Sequence, residues 1–243
     1  MRVAFLSDIH ANFPALCAAL GHADGKGAER VVCAGDIVGG GPHPTEVIRL
    51  LRERGAEAIR GNVDRKIVRL ASKPSKLKRW AKEPGRAPHA WTARSLGKAE
   101  LDWLVALPPE REFDFENVRV RVVHGSPLGD EDYIFPSLTS RGLAAKLGPD
   151  IPQGPPDVLV CGHSHIPFVR TVGGVLVINC GSVGRPVDGD PRGSLVLADF
   201  PAGGRATARV ERFDYPVESL VTDLRRRKVP GAEPSRYAAG VWG

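Results

Sequence analysis

Short apolar runs recur along the chain, each closed by small or polar residues, and their length reads as strand rather than helix. Val3-Ala4-Phe5-Leu6 and Val31-Val32-Cys33-Ala34 predict buried strands, and the apolar spacing from about Pro14 to Leu20 predicts a helix between them. A second helix over Thr45 to Arg54, capped by Thr45 and stopped by Gly55, leads into a third strand over Ala56 to Ile59. The opening third thus reads β-α-β-α-β, the pattern of parallel strands joined by helical crossovers.

From Lys66 to Leu107 the pattern turns helical, interrupted at Pro74, Pro84-Gly85 and Pro88, with helices expected over 64–71, 88–96 and 98–106. Beyond Pro108-Pro109 it turns to strands: Glu112 to Phe115, Arg119 to Val123, Val158 to Cys161, Phe168 to Val172, Val175 to Asn179, Ser194 to Asp199 and Ala206 to Phe213. Val172-Gly173-Gly174-Val175 reads as a hairpin turn. Helices over Leu138 to Leu147 and Val217 to Arg227 complete the inventory, with no internal repeat and no low-complexity tract.

Composition narrows the class. With 243 residues, 42% hydrophobic and 26% charged, the chain has ordinary globular make-up and room for a sizeable core, so wholesale disorder is excluded and one domain over 1–243 is expected. The apolar run before Ser7-Asp8 is four residues long, far short of a signal-peptide core, and no window approaches the ~18 apolar residues of a membrane span. A cytoplasmic protein with no membrane partner is the expectation. Cys17, Cys33, Cys161 and Cys180 sit apart in apolar contexts with no C-x-x-C, which reads as buried free thiols.

Charge changes the picture at one place. The net charge is +6, yet residues 60–90 hold ten Lys and Arg against Asp64 and Glu83, a segment charge of +8 that leaves the remainder at −2. A segment holding the whole positive excess can attract polyanions, so nucleic acid is a candidate partner through 60–90, although only Trp80 and Trp91 lie among or beside those cations to stack on bases. A smaller cluster, Arg225-Arg226-Arg227-Lys228, lies near the C-terminus.

The candidate chemistry lies at the strand ends. After the first strand come Asp8-Ile9-His10, after the second Gly35-Asp36, after the third Gly61-Asn62; a later strand runs into His124-Gly125, and Val158 to Cys161 runs into His163 and His165. Carboxylate, amide oxygen and neutral imidazole are all ligands for Mn²⁺, Fe or Zn²⁺, and a carboxylate can bridge two ions held ~3.5–4 Å apart. Each residue has a plainer alternative alone: Asp8 a helix cap, Asn62 a turn residue, His124 a satisfied core histidine. Seven polar residues at successive strand ends favour a dinuclear centre. Gly39 and Gly40 fit neither G-x-G-x-x-G nor a Walker loop and read as a tight turn beside Asp36.

In "SDIH", "AGDIVG", "RGNVD", "VVHGSP" and "CGHSHIP" the chain resembles the calcineurin-like metallophosphoesterases, whose ordered signature is D-x-H, G-D, G-N-x-[DE], H and G-H-x-H; "NCGSVGRP" extends the resemblance to small bacterial and archaeal members. The resemblance implies an αββα sandwich of two mixed β-sheets flanked by helices, an α/β fold. It also implies that Asp8, His10 and His165 hold one metal, that Asn62, His124 and His163 hold the other, and that Asp36 bridges them. Asp36, Asn62 and His124 are then also the catalytic candidates. Mn²⁺ is the expected metal, with Fe, Zn²⁺, Ni²⁺ and Co²⁺ as alternatives.

The activity so implied is hydrolysis of a phosphate ester by a metal-bridging hydroxide. Many relatives carry His after the Asn, as a leaving-group acid or transition-state stabiliser; here the residue is Val63, which can do neither. General acid catalysis is worth ~10²–10⁴-fold, so its loss favours diesters or activated esters over plain monoesters. A phosphodiesterase is the first expectation, acting on a phosphate ester such as a nucleotide, with the basic helical segment at about 64–106 as a cap and a homo-oligomer compatible with the chain. The rivals are a nuclease or other nucleic-acid-processing esterase, a protein or small-molecule phosphomonoesterase, and a scaffold that kept the fold without the chemistry, as in the retromer subunit that resembles this family.

Overall fold

Residues of the central strands are apolar on both faces because each strand is covered twice, by the other sheet and by helices. The computed structural model describes residues 1–148 and 154–241. Its first half runs β1 (Arg2–Leu6), α1 (Phe13–Gly25), β2 (Arg30–Cys33), α2 (Pro44–Glu53), β3 (Glu57–Ala58), then four helices, α3 (Asn62–Ala71), α4 (Pro74–Trp80), α5 (Ala87–Ser95) and α6 (Lys98–Ala106). The second half runs β4 (Glu110–Phe115), β5 (Val118–Val123), α7 (Ser140–Lys146), β6 (Val158–Cys161), β7 (Phe168–Val172), β8 (Val175–Asn179), β9 (Gly193–Asp199), β10 (Thr207–Phe213), α8 (Val217–Arg226) and α9 (Pro234–Ala239).

The strands form two mixed five-stranded sheets, ordered β10-β9-β1-β2-β3 and β4-β5-β6-β8-β7. In the first, β1, β2 and β3 are parallel and β9 and β10 add antiparallel. In the second, β5, β6 and β8 are parallel, with β4 and β7 antiparallel at the edges. Strand alternation then builds the layers. Val3 and Phe5 of β1 and Val158 and Val160 of β6 meet in the apolar layer between the sheets. Ala4 and Leu6 face α1, whose Leu16 and Leu20 share their cluster, and Leu159 and Cys161 face Leu143 of α7 on the opposite side. This is the expected αββα sandwich. Helices α3, α5 and α6 join the first of those clusters through Ile67, Leu70, Ala90, Ala93 and Leu104.

The elements depart from the sequence pattern in instructive places. Pro74 opens a helix rather than interrupting one, because at its first position the missing N–H costs nothing; α9 begins the same way at Pro234 and is absent from the sequence-level inventory. Thr45 does not cap α2: the cap residue is His43, without a side-chain bond, and Thr45 Oγ1 lies 3.4 Å from the Ser95 carbonyl on α5. Cys17 is exposed on α1, whereas Cys33, Cys161 and Cys180 are buried free thiols as expected. Gly173 and Gly174 both adopt positive φ in the β7–β8 hairpin. No helix among the described residues is long and apolar enough to cross a membrane.

Candidate metal centre

Parallel strands deliver their C-terminal loops to one edge, and the two sheets deliver theirs side by side. All seven residues singled out from the sequence meet there. Asp8, His10, Asp36, Asn62 and His124 are each no more than 5% exposed, and His165 is 9% exposed. The backbone is bent hard to aim them: Asp8, His10, Asp36, His163 and His165 all adopt φ between 49° and 62°, a region that non-glycine residues rarely enter without surrounding structure to hold them. At Gly35, φ is 93° and a Cβ would lie 2.6 Å from the Gly61 nitrogen, so the β2 and β3 loops pack backbone to backbone only with glycine there.

The side chains sort into two groups, Asp8 with His10 and His165, and Asp36 with His124 and His163, each with ligand atoms within 4.8 Å of one another. Asp36 faces both: its Oδ1 lies 3.4 Å from His124 Nε2 and its Oδ2 lies 3.8 Å from His10 Nε2. Asn62 Oδ1 sits 3.2 Å from His124 Nε2.

Ring protonation decides what these groups can hold. His10 Nδ1 lies 3.1 Å from the Gly39 carbonyl, His165 Nδ1 2.6 Å from the Arg185 carbonyl and His124 Nδ1 2.8 Å from the Ala34 carbonyl. A carbonyl only accepts, so each Nδ1 carries the proton and each Nε2 presents a lone pair inward. His10 Nε2 and His165 Nε2 then face each other at 3.1 Å, and His165 Nε2 faces Asp8 Oδ1 at 3.0 Å. Buried acceptors facing acceptors repel unless a cation lies between them. Asp8 Oδ1 and His163 Nε2 are likewise buried with no hydrogen-bonding partner. The donor set fits divalent ions, with backbone carbonyls orienting the imidazoles from behind.

Without a cation, protons take part of that role. Burial opposes ionisation of Asp8, but His165 and His10 outweigh it and hold its carboxyl well below the usual range. Burial also lowers His124, yet the Asp36 carboxylate more than compensates and pushes the imidazole up to about 10, while His124 in turn holds Asp36 down. His10 and His163 are lowered, chiefly by burial. Burial pushes the thiols of Cys33, Cys161 and Cys180 up, so none is a poised nucleophile.

Several supporting residues escape a reading for ligands alone. Asp64, the acid of "RGNVD", accepts from the backbone N–H of Ile37, Val38 and Gly61 at 3.2, 3.0 and 3.0 Å, tying the Asp36 loop to the Asn62 loop. Burial and the nearby Asp36 charge push its carboxyl up to about 7, against the pull of those N–H groups. Ser7 Oγ and the His163 N–H donate to Asp8 Oδ2 at 2.6 and 2.9 Å, and Ser182 Oγ donates to the Asp8 carbonyl at 2.7 Å. Asn179 Nδ2 donates to the Gly162 carbonyl and to Ser164 Oγ, both at 2.9 Å, pinning the loop between His163 and His165. Tyr133 stacks on the His163 ring with centroids 4.2 Å apart. Asn179 and Ser182 lie in "NCGSVGRP", a stretch read only as extending the family resemblance, and nothing local in the sequence marked Tyr133.

A cleft of about 320 Å³ opens over the centre, lined by His10, Asp36, Asn62, Tyr133, His163 and His165 among others. The basic segment lends this cleft Asn62 and Val63, and several of its cations are engaged elsewhere. Arg65 pairs with Asp130 at 2.6 Å and Lys66 with Glu131 at 3.0 Å, while Lys76 Nζ and the Arg86 guanidinium lie 4.5 and 5.0 Å from the Trp80 ring centroid. In the C-terminal cluster, Arg226 pairs with Asp223 and Arg227 with Glu46, fastening α8 to α2.

Comparison with known proteins agrees with this architecture. The family model described as the calcineurin-like phosphoesterase superfamily domain matches residues 1–202. An uncharacterized protein of Methanocaldococcus jannaschii is 28% identical over 245 residues, covering 94% of this chain and 93% of its own length. The phosphodiesterase YfcE of Escherichia coli K12 is 27% identical over 201 residues, covering 79% of this chain and 84% of YfcE. Among solved structures, a metallophosphoesterase from Sphaerobacter thermophilus is 29% identical with a TM-score of 0.78, covering 99% of this chain and 100% of its own. A hypothetical protein from Pyrococcus horikoshii, 22% identical, shares the fold at a TM-score of 0.85 over 100% of this chain and 99% of its own. The chain belongs to the calcineurin-like phosphoesterase superfamily.

Proposed function

We propose that the chain is a dinuclear-metal phosphodiesterase. Asp8, His10 and His165 would hold one ion, Asn62, His124 and His163 the second, and Asp36 both. The observation that carries this reading is the inward convergence of imidazole lone pairs and carboxylate oxygens, with His10, His124 and His165 each locked by a backbone carbonyl behind the ring. Two bound divalent ions would lower the pKa of a shared water and neutralise charge on the phosphoryl oxygens.

The chain's own residues supply the rest. Asp36 presents an oxygen to each group and accepts the Val63 N–H at 2.8 Å, which fixes its carboxylate plane. Asn62 and His124 face each other across the second group, where a phosphoryl oxygen would be oriented. Arg185 lines the cleft beside His165 and brings a cation toward a phosphate. Val63 at the cleft wall offers no proton from the position next to Asn62. Mn²⁺ is the metal we would test first, since carboxylate, amide and imidazole donors together suit it. The helices over 64–106 serve as a wall of the same domain rather than as a separate unit.

The test is reconstitution with Mn²⁺, metal analysis, and turnover of bis(p-nitrophenyl) phosphate against p-nitrophenyl phosphate. Two ions per chain and faster diester cleavage are expected. One ion per chain would reject the dinuclear reading, and faster monoester cleavage would reject the diester preference.

A further inference from the structure

Beside the cleft lies a second chamber of about 170 Å³, and the two share His10, Val63 and Arg185. Its far wall is made by His89 of α5 together with Gly231 and Tyr237 from the C-terminal segment. That segment lies beyond residue 202, where the family match ends. The chamber thus lies between that segment, α5 and the loops of the metal centre.

His89 and Tyr237 are titratable groups of this wall that no part of the metal centre uses, and burial pushes the Tyr237 phenol up to about 12. His89 Nδ1 is buried without a hydrogen-bonding partner. A buried polar atom without a partner is costly unless a ligand meets it. Burial, and then the Lys66 charge, lower the His89 pKa against the pull of Asp36, so the charged ring gives up its proton readily. Trp80 holds it edge-on, with ring centroids 6.2 Å apart, and α5 is anchored through Ala90 and Ala93 in the main apolar cluster. The imidazole is held in place, adjoins the reacting centre and lacks a partner, while its neighbour Val63 cannot exchange a proton.

We propose that this chamber receives the leaving group of the diester and that His89 is a catalytic residue donating a proton to the leaving oxygen. The inference rests on the phosphodiesterase reading. Water attacks phosphorus, the bond from phosphorus to the leaving oxygen breaks, and His89 gives its proton to that oxygen as the alcohol departs. The proton shed by the attacking water passes to solvent, from which His89 is recharged. A chamber of this size takes a compact alcohol or phenol and leaves the retained part of the substrate in the wider cleft.

The experiment is kcat/KM for methyl aryl phosphodiesters whose leaving phenol runs from p-nitrophenol to unsubstituted phenol, in wild type, His89→Gln and His89→Ala, each checked for unchanged metal content and melting temperature. A proton donor matters most for the poorest leaving group, so both variants should stay within about 2-fold of wild type on the p-nitrophenyl ester and lose roughly 10²-fold on the phenyl ester. Equal losses along the series, or none, would overturn the assignment, because a packing role is blind to leaving-group acidity. Independently of turnover, methyl phenylphosphonate, whose ring is joined through carbon and cannot leave, should shift the His89 ring resonances of the Zn²⁺-loaded protein. Unmoved resonances would place the leaving group elsewhere and overturn the proposal. A wild type that cleaves none of the esters would instead overturn the phosphodiesterase reading beneath it.

Discussion

Asp8, Asp36 and His124 are at most 1% exposed and are gripped from behind by backbone N–H and carbonyl groups. Between Asp36 and His124 in the chain, the Arg79 and Arg86 side chains are 66% and 53% exposed, paired with Glu83 at 3.5 and 2.7 Å on their own segment. Both regions are dense in charge. In the first, charges are desolvated and forced together by positive-φ backbone, an arrangement stable only with cations or protons between them. In the second, charges meet water and contribute little per pair. Charge density alone therefore does not locate function; enforced proximity without solvent does.

The sharpest way to break the comparison is Asp36→Asn. It removes the one carboxylate that faces both groups while leaving an amide oxygen able to accept the Val63 N–H. Loss of a preorganised charge of this kind should lower turnover by about 10³-fold with the fold retained. Near-wild-type turnover measured at saturating Mn²⁺ would dismiss the bridging role.

Most of this candidate centre could be read in advance because its candidate ligands are of the right types, in order, each just after a strand-length apolar run. What could not be read was set by distant partners. Asp64 looks like a helix-start acid, and only the folded chain shows that its carboxylate clamps Ile37, Val38 and Gly61. Tyr133 reaches His163 from 30 positions away in the chain, and His89 lies in a stretch where prolines read as interruptions. The fold was legible at the strands because burial on both faces writes a continuous apolar run, and less so at α4 and α9, where Pro starts a helix. Thr45 shows the same limit: a good capping residue two positions too late caps nothing.

Proton competition sharpens the contrast by a smaller amount. Metal-free His124 is pushed up to about 10 by Asp36 despite burial, so an incoming ion must displace a proton. Its folded pKa exceeds its unfolded value; the associated stability is complete below the ordinary histidine range and is lost as pH rises toward about 10. Metal-free protein should therefore lose melting temperature over that window, whereas metal-loaded protein should not. Apparent Mn²⁺ affinity should rise up to about tenfold per pH unit across the same range, one proton being released per His124 engaged. Calorimetry in buffers of different ionisation enthalpy reads that proton directly, and a pH-independent affinity would deny that His124 binds the ion.

The smallest effect belongs to the wall. Lys76, Lys78 and Arg79 lie on α4, where Lys76 already covers Trp80 and Arg79 already pairs with Glu83. Exposed charges beyond ~8 Å are screened at physiological ionic strength, and a small diester carries a single negative charge to steer. The triple variant Lys76→Glu, Lys78→Glu, Arg79→Glu should change kcat/KM for methyl p-nitrophenyl phosphate by less than about 2-fold, with an equally shallow salt response. An oligonucleotide reads the same surface differently, because each phosphate contacted adds to the salt slope. If the wall merely bounds the cleft, its kcat/KM should be as insensitive to the three substitutions as the small diester's. A steep salt dependence confined to the oligonucleotide and abolished by the variant would instead make the wall a nucleic-acid-binding surface, and would move substrate choice from the buried loops to the exposed helices.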